Sequence, residues 1–275
     1  MISAARITQF AAAACLSLAL AVSATAQPAD EFTPRPGQPG KDVIWLPTRQ
    51  AVVDKMLEIA KVTPDDFVID LGSGDGRTVI SAAQLGAEAL GIEYNPKLVE
   101  YARRRAAEAE VTDRASFVQA DIFESDLSRA SVITMFLLPE LNIRLRPTLL
   151  AMDPGTRVVS NSFTMGDWAA DQTASVNDDC FSHCTAFLWI VPVKAAGVWK
   201  TDDGEIRLHQ KYQMLNGEVV RDGVAVALTQ GKISGRELTF TAGGVEYVAR
   251  IDGASMEGVR KEDAGETAWR ATLVE

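Results

Sequence analysis

The stretch Val68-Ile69-Asp70-Leu71-Gly72-Ser73-Gly74-Asp75-Gly76-Arg77 restricts the fold more than any other part of the chain. An apolar run ends in an acid, three glycines alternate with Ser73 and Asp75, and a helical spacing follows through Val79, Ile80, Ala82, Ala83 and Leu85. Glycines at such a turn let the backbone take positive φ and let a ligand approach with no Cβ in the way. Strand, glycine-rich turn and helix in that order predict a cofactor-binding βα unit. The spacing is G-x-G-x-G, not the G-x-G-x-x-G of dinucleotide sites, and acids stand at Asp70 and Asp75. Two unit charges about 4 Å apart interact by ~1 kcal/mol in water and by ~4 kcal/mol at an effective dielectric near 20. Carboxylates here oppose a pyrophosphate and favour a ligand carrying an ammonium and a sulfonium. The loop therefore reads as a site for S-adenosylmethionine (SAM) rather than NAD.

The pattern of strand and then acid recurs. Ala89-Leu90-Gly91-Ile92-Glu93 is a second strand, and its acid lies 23 residues beyond Asp70. At that distance the second strand of such a unit delivers a carboxylate to two ribose hydroxyls. Asn95-Pro96 predicts a helix start, with Asn as N-cap and Pro in the first turn. Its Arg103-Arg104-Arg105 run reads as a solvated face. Ala115 to Ala120 forms a third strand closing with Asp121-Ile122, an acid to accept from an adenine amino group and an apolar side chain to lie against the ring. Alone, Asp121 is a turn residue at a strand end; the recurrence argues for a ligand role. Val132 to Leu138 is continuously apolar, as a central parallel strand buried on both faces requires. Pro139-Glu140-Leu141-Asn142 then opens a helix to about Met152, interrupted or bent near Pro147. Thr156 to Asn161 and Thr185 to Val193 read as later strands. Alternating β and α elements predict a doubly wound, mostly parallel α/β sheet. Ligands of such sheets lie at the carboxyl ends of the strands, which would gather Asp70, Glu93, Asp121, Glu140 and Asn161.

Residues 1–26 read as a signal peptide. Arg6 is their only charge, Phe10 to Val22 is apolar, and Ala24-Thr25-Ala26 offers a small-x-small cleavage site. The apolar run is shorter than the roughly 20 residues of a membrane span. Export to a periplasm is expected, with retention as an uncleaved membrane anchor as the alternative. Residues 27–42, rich in Pro, Gly and charge, read as an extended linker. Trp45 either packs under the amphipathic helix that follows or lids the cofactor. Cys180 and Cys184 read as a local disulfide or as two free thiols; with His183 they lack a fourth metal ligand, and no metal site is expected.

Near Ala195 helical periodicity ends and turn pairs recur: Asp203-Gly204, Asn216-Gly217, Asp222-Gly223, Gly243-Gly244 and Asp252-Gly253. Alternating segments between them predict an antiparallel meander of roughly seven or eight strands. The expected organisation is a cofactor domain over 43–194 and a small antiparallel β domain or partly closed barrel over 195–275. The formal net charge is −10. That is a poor match to a nucleic-acid backbone, which is held by clustered Lys and Arg, and a better match to a basic group such as a lysine side chain.

Asp70 to Arg77, Glu93, Asp121-Ile122, Phe136 to Asn142, Leu145-Arg146-Pro147 and Pro154 to Ser160 together resemble the class I SAM-dependent methyltransferases, whose fold is Rossmann-like. Within that superfamily they are most similar to the group of mitochondrial lysine methyltransferases acting on the c subunit of ATP synthase and on the adenine nucleotide translocase. The likeness runs from about Trp45 to Trp168, including Gly166-Asp167-Trp168, and leaves out the first 26 residues and the β-rich part. The resemblance implies that Asp70, Gly72, Gly74 and Gly76 hold the methionine part of SAM, Glu93 the ribose, and Asp121 with Ile122 the adenine; Ser73 and Asp75 of the same loop are expected to bind the cofactor as well. Many amino-methylating relatives have an Asn/Asp-Pro-Pro-aromatic turn after the fourth strand, where this chain has Leu138-Pro139-Glu140.

The expected activity is methyl transfer to a protein lysine, with Trp45, Pro47, Thr48 and Pro139 lining the acceptor channel. Glu140 or Asn161 would orient the amine as the expected catalytic residues, and Glu140 would take its proton. Transfer to a small molecule under a β-domain cap, and an exported binding protein without turnover, are the competing readings. The expected partner is a protein substrate, with membrane proximity as an added expectation.

Overall fold

The computed structural model describes residues 32–177, 180–262 and 265–274. The signal peptide expected at 1–26 and the first residues of the expected linker lie outside the described residues. In chain order the first elements are α1 (Gln50–Ile59), β1 (Phe67–Leu71), α2 (Arg77–Gln84), β2 (Glu88–Glu93), α3 (Pro96–Glu108), β3 (Ala115–Gln119), β4 (Val132–Met135), α4 (Pro139–Leu150), β5 (Arg157–Asn161), β6 (Gln172–Ser175) and β7 (Thr185–Ile190). They build one seven-stranded sheet of order β3-β2-β1-β4-β5-β7-β6, in which β7 runs opposite to the other six strands. Strand order reverses between β1 and β4, the place where doubly wound sheets open a crevice.

Alternation within the central strands explains why they read as apolar runs interrupted only by Asp70 in β1 and Thr134 in β4. Val68 and Val132 face the layer formed by α1, α2 and α3, whereas Ile69, Leu71, Ile133 and Met135 face the layer holding Leu145, Leu149, Trp168 and Trp189. Both faces are covered, so both parities are apolar. Asn95 caps α3 through its side chain, which accepts from the Lys97 N–H at 3.0 Å, and Pro96 follows at the first position. α4 runs through Pro147 without a break. The segment expected as linker is folded near its end. Gly37 and Trp45 are joined by backbone hydrogen bonds, as are Trp45 and Gln38, and a turn at Gly40–Val43 closes this hairpin.

Eight further strands follow: β8 (Gly197–Thr201), β9 (Gly204–Lys211), β10 (Met214–Arg221), β11 (Val224–Ser234), β12 (Glu237–Ala242), β13 (Val245–Asp252), β14 (Ser255–Glu262) and β15 (Gly265–Leu273). They close into an antiparallel barrel around Trp199, Ile206, Ile233, Phe240, Ile251 and Met256. Closure through β15–β8 removes the sheet edges that an open meander would expose. One expected turn is misplaced. Asn216-Gly217 lies inside β10, and the β9–β10 turn is at Tyr212-Gln213. Gly217 serves close approach instead, because a Cβ there would sit 1.9 Å from the Arg207 carbonyl oxygen.

The barrel rests on the sheet's amino-terminal edge. Val193 N–H donates to the Gly235 carbonyl, and Gly235 approaches Gly155, just before β5. Asp167 accepts from Arg146 at 2.7 Å, from the Tyr212 hydroxyl at 2.8 Å and from Lys211 at 3.0 Å. Tyr212 stacks on Trp168, with ring centroids 5.9 Å apart.

Candidate active site

At the opposite, carboxyl-terminal edge lies a cavity of about 960 Å³, counting its solvent-open mouth. Asp70, Gly72, Ser73, Gly74 and Asp75 line it from the β1–α2 loop, Glu93 from the end of β2, and Asp121 with Ile122 from beyond β3. Three sheet tips therefore bring together the acids singled out in the sequence.

Their environments differ. Asp70 is buried and accepts from the Thr134 hydroxyl at 2.6 Å. Burial, with the Asp75 and Glu93 charges nearby, pushes its carboxyl up to about 7 despite hydrogen bonds from Thr134 and Thr78. Glu93 holds the loop's shape, since one of its oxygens accepts from Gly74 N–H at 3.0 Å and the other from Asn95 N–H at 2.8 Å. Gly72, Gly74 and Gly76 all have positive φ, and a Cβ on Gly74 would lie 2.3 Å from Trp45 Nε1. Ser73 Oγ is buried with no hydrogen-bond partner among the described residues.

Asp75 departs from the charge argument made for it. Arg77 (2.6 Å) and Arg105 (2.8 Å) both pair with its carboxylate, so little of that charge is left for a ligand. Arg105 comes from the run read as a solvated face, and Arg103 of the same run donates to the Phe117 carbonyl at 2.7 Å. Asp121 pairs with Lys41, which sits 4.8 Å from the centroid of Tyr94, and accepts from Phe123 N–H at 3.0 Å. The Lys41 ammonium holds the Asp121 carboxyl below the usual range.

The segment from Lys41 to Thr48 covers this cavity. Trp45 lies over the glycine loop, which is the lid reading of that residue. Arg77 donates to the Thr48 carbonyl at 2.7 Å and so ties the strap to the same loop. Trp45, Pro47 and Thr48 line the cavity; Pro139, Glu140 and Asn161 are not among its lining residues. Glu140 is exposed in the first turn of α4. Asn161 is fully buried at the end of β5, donates weakly to Thr48 Oγ1 (3.4 Å) and accepts from the Ser162 hydroxyl at 2.8 Å.

Lys41, Thr78 and Thr134 at the site were not picked out in the sequence, and Arg77 and Phe136 were quoted only within longer motifs. Thr134 had a signal, as a lone polar residue in an otherwise apolar central strand. Lys41 had none, because its partner lies 80 residues away.

The fit to SAM rests on observations of this site. Among the described residues the buried Asp70 carboxyl, held up to about 7, has no cation paired with it and the buried Ser73 hydroxyl has no partner, while Gly72 and Gly74, both with positive φ, line the cavity. An ammonium satisfies the first and a carboxylate the second.

Comparison with known proteins agrees. The family model described as the ANTKMT methyltransferase domain matches residues 70–172. A protein-lysine N-methyltransferase of Saccharolobus islandicus is 43% identical over 152 residues, covering 54% of this chain and 94% of that protein. The adenine nucleotide translocase lysine N-methyltransferase of Mus musculus is 36% identical over 118 residues, covering 42% of this chain and 51% of that protein. The crystal structure of an RNA methyltransferase from Salinibacter ruber, in complex with S-adenosyl-L-homocysteine, superposes with a TM-score of 0.51 at 47% identity. It covers 55% of this chain and 96% of that one. The cofactor is SAM, and the chain belongs to the protein-lysine N-methyltransferase family of SAM-dependent methyltransferases.

Proposed function

We propose that this enzyme methylates the ε-amino group of a lysine in a protein substrate. The observation that carries the reading is the cavity at the sheet tips, whose acidic half takes the cofactor and whose other half opens at Phe136 and Leu141 beneath the strap. Bound SAM supplies a methyl group on a sulfonium, which is already a good leaving group. The chain's own contribution is orientation, with Asp70, Ser73 and Glu93 fixing one reactant and the strap residues Trp45, Pro47 and Thr48 excluding water from the other. A lysine ammonium titrates at about 10.4 in water and loses its proton more readily when desolvated, so the half-buried mouth promotes the free amine. Asn161 acts at one remove, by holding Thr48. Glu140, exposed between the cavity-lining Leu137 and Leu141, attracts the ammonium to the mouth.

The relatives' names point to two acceptors, protein lysine and RNA. The net charge of −10 opposes an RNA backbone and favours lysine. The barrel docks at the edge away from the cavity and supplies none of its lining residues, which weighs against a small-molecule cap. Incubation of the purified protein with methyl-labelled SAM and a protein extract, followed by mass spectrometry, is expected to place the label on lysine. Label confined to RNA or to solvent-extractable molecules would overturn the reading. Export of the enzyme to an oxidising compartment is part of the proposal. It is supported by residues 1–26 and by the Cys180–Cys184 disulfide; N-terminal sequencing of the native protein tests it.

A further inference from the structure

Three aromatic rings meet beside the cofactor cavity on the side away from the ribose and adenine tips. Phe136 follows β4 and lines the cavity, Phe163 follows β5, and His183 precedes the antiparallel β7. The topology brings all three to the carboxyl edge of the sheet, over the half that the β1, β2 and β3 tips leave free. Phe136 and Phe163 lie within 16° of parallel with centroids 6.1 Å apart. His183 is inclined by about 60° to both, 5.1 Å from Phe136 and 5.8 Å from Phe163. Two near-parallel rings with a third tilted against them make a corner, not a stack. Phe136 and Phe163 are half-buried and His183 is exposed, so the corner reaches solvent, with Phe136 alone lining the cavity.

Phe163 and His183 are both held by the segments that carry them. Asn142 donates to the Phe163 carbonyl at 3.2 Å, and Phe163 N–H donates to the Asn161 carbonyl at 2.8 Å. His183 sits within the five-residue loop closed by the Cys180–Cys184 disulfide, with φ of +58°. The next hydrogen bond fixes that loop to the sheet, from Val176 N–H to the Cys184 carbonyl at 2.8 Å. A disulfide that closes so short a loop chiefly fixes the side chains on it.

We propose that Phe136, Phe163 and His183 form the seat for the acceptor's ammonium or methylated ammonium group, bound through the faces of the rings. A cation near an aromatic face is attracted by the ring quadrupole, most strongly when desolvated. A neutral apolar group of the same size gains no such attraction. The seat also serves successive methylations, because each transfer leaves a methylammonium product with more apolar contact to the rings, which gives up a proton to solvent before its amine can take the next methyl. The proposal rests on the reading of the acceptor as an alkylamine, and it makes Phe163 and His183 acceptor-binding residues.

The test uses the full chain loaded with S-adenosyl-L-homocysteine. Choline is titrated in, and in parallel its neutral isostere 3,3-dimethylbutan-1-ol, while the imidazole proton resonances of His183 are followed by NMR. The chain has two histidines, so a His209→Gln variant assigns them. Choline is expected to shift the His183 resonances and to bind about tenfold more tightly than the isostere. Phe163→Leu is expected to weaken choline by about tenfold, to raise KM for a lysine peptide more than it lowers kcat, and to leave cofactor affinity unchanged. Phe163→Tyr restores both. Equal binding of choline and isostere, or no shift at His183 with cofactor affinity intact, overturns the seat. Lysine methylation that is indifferent to Phe163→Leu also overturns the seat while leaving the lysine reading standing. Choline binding at His183 with no lysine methylated supports the seat and overturns the lysine reading.

Discussion

Asp70 shows how a single residue ties the fold's stability to its ligand. Its carboxyl titrates at about 7 in the folded chain against an ordinary 3.8, because burial disfavours the charge. Between those two values the folded state holds a proton that the unfolded state has released. Stability without ligand therefore falls as pH rises from about 4 to about 7, by up to ~4 kcal/mol at 1.36 kcal/mol per unit. Above 7 the ionised carboxylate is the partner a bound ammonium needs. Cofactor affinity measured by calorimetry is accordingly expected to rise between about pH 5.5 and 7.5. Asp70→Asn should flatten that profile, weaken SAM about a hundredfold through loss of a charged hydrogen bond, and raise the ligand-free unfolding midpoint at about pH 8. Asp70 and Glu93 were legible in the sequence because an acid after an apolar strand lands at the sheet's carboxyl edge wherever the strand sits. The neutralisation of Asp75 was not. Arg105 reaches it from a helix whose rotation about its axis depends on packing, and a run of three arginines on a helix does not state which of them turns inward.

At the scale of elements, the strap over the cavity is what composition concealed. Pro- and Gly-rich sequence before Val43 reads as open chain, since hairpin hydrogen bonds between Gly37 and Trp45 involve backbone alone. Trp45 is half-buried, outside the fold's apolar cores, and lies against Gly74. Trp45→Ala is thus expected to leave the circular dichroism spectrum unchanged and to weaken SAM about tenfold, chiefly through faster dissociation. The disulfide loop is the second such element. Closing a loop of this length stabilises the fold by about 2 kcal/mol on chain-entropy grounds. Reduction, or a Cys180→Ser/Cys184→Ser pair, should lower the unfolding midpoint by about 4–8 °C for a protein of this size. It should also loosen His183 without altering cofactor affinity, as read by the same NMR signals. Phe181 on this loop is 90% exposed, so its apolar ring adds nothing to the folded core that reduction would take away.

Across the whole molecule, the two edges of the sheet have separate duties. The cofactor cavity and the aromatic corner share the carboxyl edge, whereas the barrel is fastened at the amino edge and by the segment leading into β6. The barrel's strands were readable from recurrent turn pairs and alternation. Its closure and its seat were not, because both depend on contacts between positions far apart in the chain, such as Leu273 with Trp199 and Tyr212 with Trp168. Asp167 is the chief polar link. Lys211 and Tyr212 of the barrel meet it together with Arg146 of α4, and this company holds its carboxyl well below the ordinary range. Asp167→Ala removes three partners at once from an exposed site. The unfolding midpoint is expected to fall by about 2–4 °C, a shift of the size one modest contact produces in a chain of this length. SAM affinity should stay at the parent value, since no barrel residue lines the cavity. A loss of cofactor affinity in this variant would mean that the amino edge communicates with the carboxyl edge through β5 and the segment carrying Trp168, and that the barrel takes part in the reaction after all.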